Sequence, residues 1–131
     1  SYVVQTGSPH YVLLDDKHTH AHVLEVGRAI RYNERFQKDG INVNLMEITA
    51  DGIRVATYER GVEDETLACG TGVTACAIAY AHHHNKIGEN NIRVRVMGGE
   101  LSVRFHYDGE QYTDVWLIGP GTFVFEGTID V

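Results

Sequence analysis

Residues 69–84 read CGTGVTACAIAYAHHH. From Val73 to His84 the segment is rich in alanine and carries no Asp, Glu, Lys or Arg. A helix with small or apolar side chains on nearly every face has no side to give to water, so it belongs inside a fold. The segment therefore predicts a central helix, and the rest of the chain has to supply the walls around it.

The flanking sequence supplies strands. Residues 41–48, INVNLMEI, alternate in polarity, and residues 52–61, GIRVATYERG, do so again after an Asp-Gly turn, which predicts a hairpin. Residues 91–107 read as two alternating strands around Gly98-Gly99, and 112–131 as two more around Gly119-Pro120-Gly121. Two short β-prone runs, 2–4 and 11–14, flank the turn-like TGSPH of residues 6–10. From His20 to about Phe36, the spacing of Val23, Val26, Gly27 and Ile30, widened by Leu24, predicts one amphipathic helix, closed by Lys38-Asp39-Gly40. The sum is an α+β domain of about eight strands and two helices. No βαβ repeat is evident, which argues against a doubly wound sheet.

Length and charge narrow the partners. With 131 residues the chain is one domain of ordinary size, 1–131. It carries 18 acidic residues against 11 Lys and Arg, for a net charge of −7, and has no basic run. That argues against nucleic acid or an anionic membrane, but not against a small anion held by backbone amides. No run of 18 apolar residues exists, and Ser1 opens no signal peptide. Two cysteines make no disulfide framework, so a reducing, cytoplasmic setting is the expectation. The chain lacks an initiator methionine, which processing and a fragment of something longer explain equally well.

The entrance of the central helix is where chemistry concentrates. A helix starting near Thr71 leaves its first amides without intrahelical acceptors, at the electropositive end of the peptide dipoles. Gly70 and Gly72 let an anion approach those amides closely. A cysteine just ahead, Cys69, would have a lowered pKa and thiolate character there. The same residue also fits a plain packing cysteine, and the residues alone leave both readings open. Cys76, among Ala75, Ala77 and Ile78, reads as a small buried hydrophobe.

Three other places offer partners. Glu59 and Arg60 end a strand shortly before the cysteine loop; a guanidinium can hold a carboxylate and a carboxylate can hold an ammonium, or the two can be a surface ion pair. His10, after Ser8-Pro9, can orient a substrate or move a proton, or simply face solvent. Asn42 and Asn44 share one face of an otherwise apolar strand and need partners if buried. The histidines of 18–22 and 82–84 resemble metal-binding tracts by composition only. No three- or four-ligand zinc set can be assembled from them.

With these residues in hand, Tyr58-Glu59-Arg60-Gly61 followed by Glu65-Thr66-Leu67-Ala68-Cys69-Gly70-Thr71-Gly72 resembles the second catalytic-cysteine motif of the diaminopimelate epimerase family. TGSPH resembles that family's Gly-Asn-Pro-His turn, INVNLM its asparagine strand, and FVFEGTI its closing strand. The resemblance implies a sheet wrapped around a central helix with a second helix outside. It implies cofactor-independent epimerisation of diaminopimelate, in which two cysteines add and remove the α-proton from opposite faces. Cys69 matches one of them, and Glu59 and His10 match residues linked to catalysis. Asn42, Glu59 and Arg60 match substrate-binding residues, Gly70 and Thr71 the amides that hold the reacting carboxylate.

Two departures qualify the match. Ser8 stands where the family usually places a substrate-binding asparagine. The motif of the other cysteine, carried by a second, similar domain, has no counterpart here, so the chain reads as an isolated C-terminal half that is inactive alone. Its last strand, about 122–131, would then belong with the absent N-terminal half, and apolar surface left by that half could drive self-association into a homodimer. Competing readings are a racemase for another amino acid, a non-enzymatic carboxylate-binding domain, and a histidine-based metal module.

Overall fold

Alternation along the chain becomes one curved sheet. The computed structural model describes residues 2–5, 9–33, 35–36, 40–66, 70–96, 99–119 and 122–130, with side chains except at residue 5 and in 122–130. In chain order the elements are β1 (Tyr2–Gln5), β2 (Pro9–Leu14), α1 (His20–Arg31), β3 (Asn42–Thr49), β4 (Gly52–Glu59), β5 (Asp64–Thr66), α2 (Gly70–His83), β6 (Gly88–Val96), β7 (Gly99–Tyr107), β8 (Gln111–Gly119) and β9 (Thr122–Asp130). The strands lie in the order β1-β2-β3-β4-β6-β7-β8-β9, with β5 on β4. The expected β3–β4 hairpin forms, with Thr49 opposite Gly52.

The structure adds parallel pairs that the sequence did not suggest. β2 runs parallel to β3 and β4 parallel to β6, so α1 and α2 are both βαβ crossovers. These crossovers step the same way along the sheet, from strands of opposite sense. Two right-handed connections of that kind must leave their helices on opposite faces. The core divides accordingly. Val12, Met46, Ile53, Val55, Ile92, Val94, Val103 and Phe105 pack around α2, while Val43, Leu45, Ala56 and Tyr58 pack on the α1 side with Val23. The alternation of strand side chains feeds both clusters. The reading as α+β, a mixed sheet around a central helix with a second helix outside, is the architecture observed.

α2 sits against β1, β2, β3, β4, β6, β7 and β8. Val73, Ala75, Cys76, Ala77, Ala79 and Ala81 are all buried, and their small size is what lets strands close on every side. Thr74, also buried, returns its hydroxyl to the Gly70 carbonyl at 2.8 Å. The helix begins at Gly70, three residues before the alanine-rich pattern. A Cβ on Gly70 would lie 2.6 Å from Leu117 Cδ2 of β8, so the first turn is tucked under the sheet.

α1 is shorter than its periodicity suggested, ending at Arg31 with Tyr32 as its cap rather than running to Phe36. Gly27 is not an interruption of this helix but its contact. A Cβ there would stand 2.3 Å from Tyr58 Cγ, so its absence admits the tyrosine ring. The ninth strand, β5, escaped the reading because it has three residues and no apolar pattern. β4 shares one edge between two partners: Gly52–Val55 pair with β6 and Thr57–Glu59 with β5. β9 pairs antiparallel with β8 through two register irregularities.

Candidate functional site at the entrance of the central helix

The inner face of the sheet is apolar around most of α2 and turns polar at one end. Along β2, β3 and β4 the inward positions near α2's first turn are His10, Asn42, Asn44 and Thr57, all buried. Parallel pairing sets His10 opposite Asn42 and Val12 opposite Asn44, and antiparallel pairing sets Asn44 opposite Thr57. Four polar side chains from three strands thus face one helix start.

They satisfy one another. Thr57 Oγ1 donates to Asn44 Oδ1 at 2.8 Å. Asn44 Nδ2 lies 2.9 Å from His10 Nδ1 and donates to the Tyr11 carbonyl at 3.3 Å. His10 Nε2 lies 3.0 Å from Thr71 Oγ1 on α2. Asn42 Oδ1 accepts from the Arg60 amide at 2.9 Å, which ties the end of β4 to the same cluster. Gly72 completes the fit, because a Cβ there would stand 2.9 Å from Asn44 Oδ1 and 3.3 Å from His10 Cε1. Burial, reinforced by the Arg60 charge, pushes the His10 imidazole down to about 4, so it is neutral around neutral pH.

The Glu59–Arg60 turn is held by a residue that sequence reading passed over. Glu63, with φ +56, accepts from the Gly61 amide at 2.8 Å, Arg31 Nε at 3.1 Å, Tyr32 Oη at 2.9 Å and Tyr58 Oη at 3.1 Å. Burial alone would raise its carboxyl, but these donors and the Arg31 charge hold it below the usual range. Gly40, with φ +80, lies beneath, where a Cβ would be 3.1 Å from both Arg31 Cζ and Arg60 Cδ. Nothing in the sequence marks Glu63 as special, since its role depends on a left-handed backbone and donors from α1.

The expected site residues are thus brought together in part. His10, Asn42, Thr71 and Arg60 meet at the α2 entrance, with Gly70 in its first turn. Glu59 ends β4 two residues beyond Thr57, and its side chain makes no hydrogen bond or ion pair with a described residue. Ser8 and Cys69 lie outside the described residues; Gly70 follows Cys69 directly. Asn44 and Thr57 joined the cluster unassigned. The alternation placed Asn44 on the right face, but its partners are 13 and 34 residues away.

The histidine tracts take other roles. His20 pairs with Glu65 at 2.9 Å, His22 with Asp15 at 2.7 Å, and His83 Nδ1 lies 2.8 Å from Tyr2 Oη. Among the described residues no group of three His, Cys, Asp or Glu could hold a metal ion. Among them, too, no helix is long and apolar enough to cross a membrane.

Comparison with known proteins follows the same lines. A family model for diaminopimelate epimerase matches residues 2–124. The chain is 44% identical over 127 residues to the diaminopimelate epimerase of Flavobacterium psychrophilum, covering 96% of this chain and 49% of that protein. It is 43% identical over 130 residues to that of Chlorobaculum tepidum, covering 98% and 49%. The chain therefore spans about half the length of the curated relatives it matches. Among solved structures, a predicted epimerase from Pseudomonas aeruginosa superposes with a TM-score of 0.65 at 14% identity, over 86% of this chain and 37% of that one. A phenazine biosynthesis protein of the PhzF family from Bacillus anthracis gives 0.56 at 17% identity, over 87% and 35%. At such identities the likeness is one of fold.

Proposed function

We propose, since this chain belongs to the diaminopimelate epimerase family, that it is the C-terminal half of a two-half enzyme interconverting LL- and meso-diaminopimelate. The observation that carries this reading is the convergence of β2, β3, β4 and α2 on one buried polar end. It lies at the helix start that immediately follows Cys69.

The chemistry asked of such a site is removal of a weakly acidic α-proton. Cys69, as thiolate, takes or returns that proton on one face, and a cysteine of the companion half does so on the other. The amides of Gly70 and Thr71, at the electropositive start of α2, hold the α-carboxylate and stabilise the enolate-like charge that develops on it. Glu59 and Arg60 clamp the distal amino-acid end, one through its ammonium and the other through its carboxylate. Asn42 sets Arg60 through the backbone and contacts substrate beside it. Ser8, shorter than asparagine, contributes a smaller contact. His10, neutral and buried, donates a hydrogen bond rather than carrying charge.

On this reading residues 1–131 form one domain, and the 122–131 segment packs with the companion half in the complete protein. The isolated chain lacks the second proton-transfer cysteine and does not turn over. Incubating the complete two-half protein with diaminopimelate in deuterium oxide should incorporate α-deuterium and invert the centre, and Cys69→Ala should stop inversion. Inversion by the isolated chain, abolished by Cys69→Ser, would sink the half-enzyme reading. Exchange on a different amino acid but not on diaminopimelate would move the substrate within the same chemistry.

A further inference from the structure

We propose that Asn44 and Thr57 are positioning residues that lock His10 in the tautomer with its proton on Nε2, aimed at Thr71. The inference follows from what each atom is able to do. The Tyr11 carbonyl can only accept, so the Asn44 side-chain atom 3.3 Å from it is the amide nitrogen. The other amide atom is then the oxygen, which matches its 2.8 Å contact from the Thr57 hydroxyl. The nitrogen so fixed can only donate, and it faces His10 Nδ1 at 2.9 Å. Nδ1 must therefore be the lone-pair atom, and the ring proton sits on Nε2, 3.0 Å from Thr71 Oγ1.

The lock is built into the core. His10 and Asn44 have no exposed surface, and Thr57 is 1% exposed. Gly72 presses on Asn44 and His10 from α2, so neither side chain has room to turn over without moving the helix. An asparagine whose amide flipped could be answered by a proton on Nδ1 and by the Thr57 oxygen, but its own oxygen would then face the Tyr11 carbonyl, two buried acceptors with no proton between them. The electrostatics agree: His10 stays neutral beneath the Arg60 charge, as a ring capped by a donor must. The consequence for the site is a fixed donor on the first turn of α2. Thr71, and with it the amide direction at the helix start, is held from beneath by β2, and β2 is held by β3 and β4 through Asn44 and Thr57.

The tautomer itself does not depend on the catalytic reading; only its use in positioning the carboxylate-binding amides does. Long-range proton–nitrogen spectra of the ¹⁵N-labelled 131-residue chain test it directly. Wild type should show a pyridine-like Nδ1 and a pyrrole-like Nε2 for His10, unchanged from about pH 5.5 to about pH 8. Asn44→Asp replaces the donor by an acceptor, so the two nitrogen signals should exchange places or both become imidazolium-like. Thr57→Val should mix the two tautomers, and Thr57→Ser should restore the wild-type pattern. A wild-type spectrum with the proton on Nδ1, or an imidazolium at pH about 7, overturns the lock even if every variant fails to fold. In the complete protein, Asn44→Asp should lower kcat more than it raises KM. Normal kcat with an exchanged tautomer would refute the positioning role while leaving the tautomer standing.

Discussion

The two helices of this domain solve opposite problems with the same residue. α1 lies on the outer face with its own ends attended to: Thr19 caps its start through the His22 amide, and Arg28 and Arg31 occupy its last turn. Its one glycine, Gly27, admits Tyr58 so that the helix can lie close to β4. α2 lies inside, and its glycines stand at the entrance: Gly70 under Leu117 and Gly72 against Asn44 and His10. In α1 a missing side chain serves packing. In α2 it serves a polar cluster at the end of the helix where anions are favoured. Apolar packing against α1 fills one side of the sheet, and a buried polar cluster meets α2 on the other.

The largest effect should come from the chemical side. In the complete protein, Cys69→Ala should bring inversion of diaminopimelate to a stop, a loss of at least about 10²–10⁴-fold in kcat, the usual worth of a positioned proton-transfer group. Next is acid. His10 has a folded-state value of about 4, against an ordinary 6.5, so between those limits the unfolded chain binds the extra proton. Stability should therefore fall as pH drops from 6.5 towards 4, by about 3 kcal/mol in all for this group. His18, lowered by its own burial, adds a loss of the same sign. Urea titrations across that window should show the slope, and His10→Gln should remove most of it; an unchanged slope would place the acid sensitivity elsewhere.

The same substitution in each helix sharpens the contrast. Gly27→Ala gains about 1 kcal/mol of helix propensity but loses about 3 to the tyrosine ring, a net loss of about 2 seen in the urea midpoint. Gly72→Ala should cost about 1–2 kcal/mol and also shift the His10 ring resonances, which Gly27→Ala should leave in place. If both glycines moved His10 alike, the two faces would not be independent. Smallest is Thr19→Ala, about 0.5–1 kcal/mol for a cap whose hydrogen bond is 3.4 Å long, with no change in His10.

What was legible in the sequence was what repeats. Polarity alternation located β3, β4, β6, β7 and β8, and the uncharged alanine run located α2 and its enclosure. The strand reading set Glu59 and Arg60 at the end of β4, whereas His10, read as part of a turn, belongs to β2, and residues 6–8 of that turn lie outside the described residues. What stayed hidden depends on partners distant along the chain. The two parallel pairs join β2 to β3 across α1 and β4 to β6 across α2, and no local pattern signals which strands such crossovers join. Thr57 reads as an ordinary strand threonine until Asn44 is set opposite it. Glu63 reads as a surface acid in a turn until Arg31, Tyr32 and Tyr58 converge on it.

The enclosure of α2 has a kinetic consequence. Its walls come from strands spread between residues 2 and 119, and the His10–Thr71 contact alone spans 61 positions. Such a helix cannot be docked early and decorated later; its surroundings arrive together, from far apart in the chain, which is the slow kind of assembly. Once formed, its amides have no partial opening that exposes them without parting the sheet. Hydrogen exchange from residues 74–81 should therefore run at the rate set by global unfolding, while α1, covered on one side only, exchanges through smaller openings. The helix whose start meets the buried polar cluster should also be the last part of the molecule to loosen.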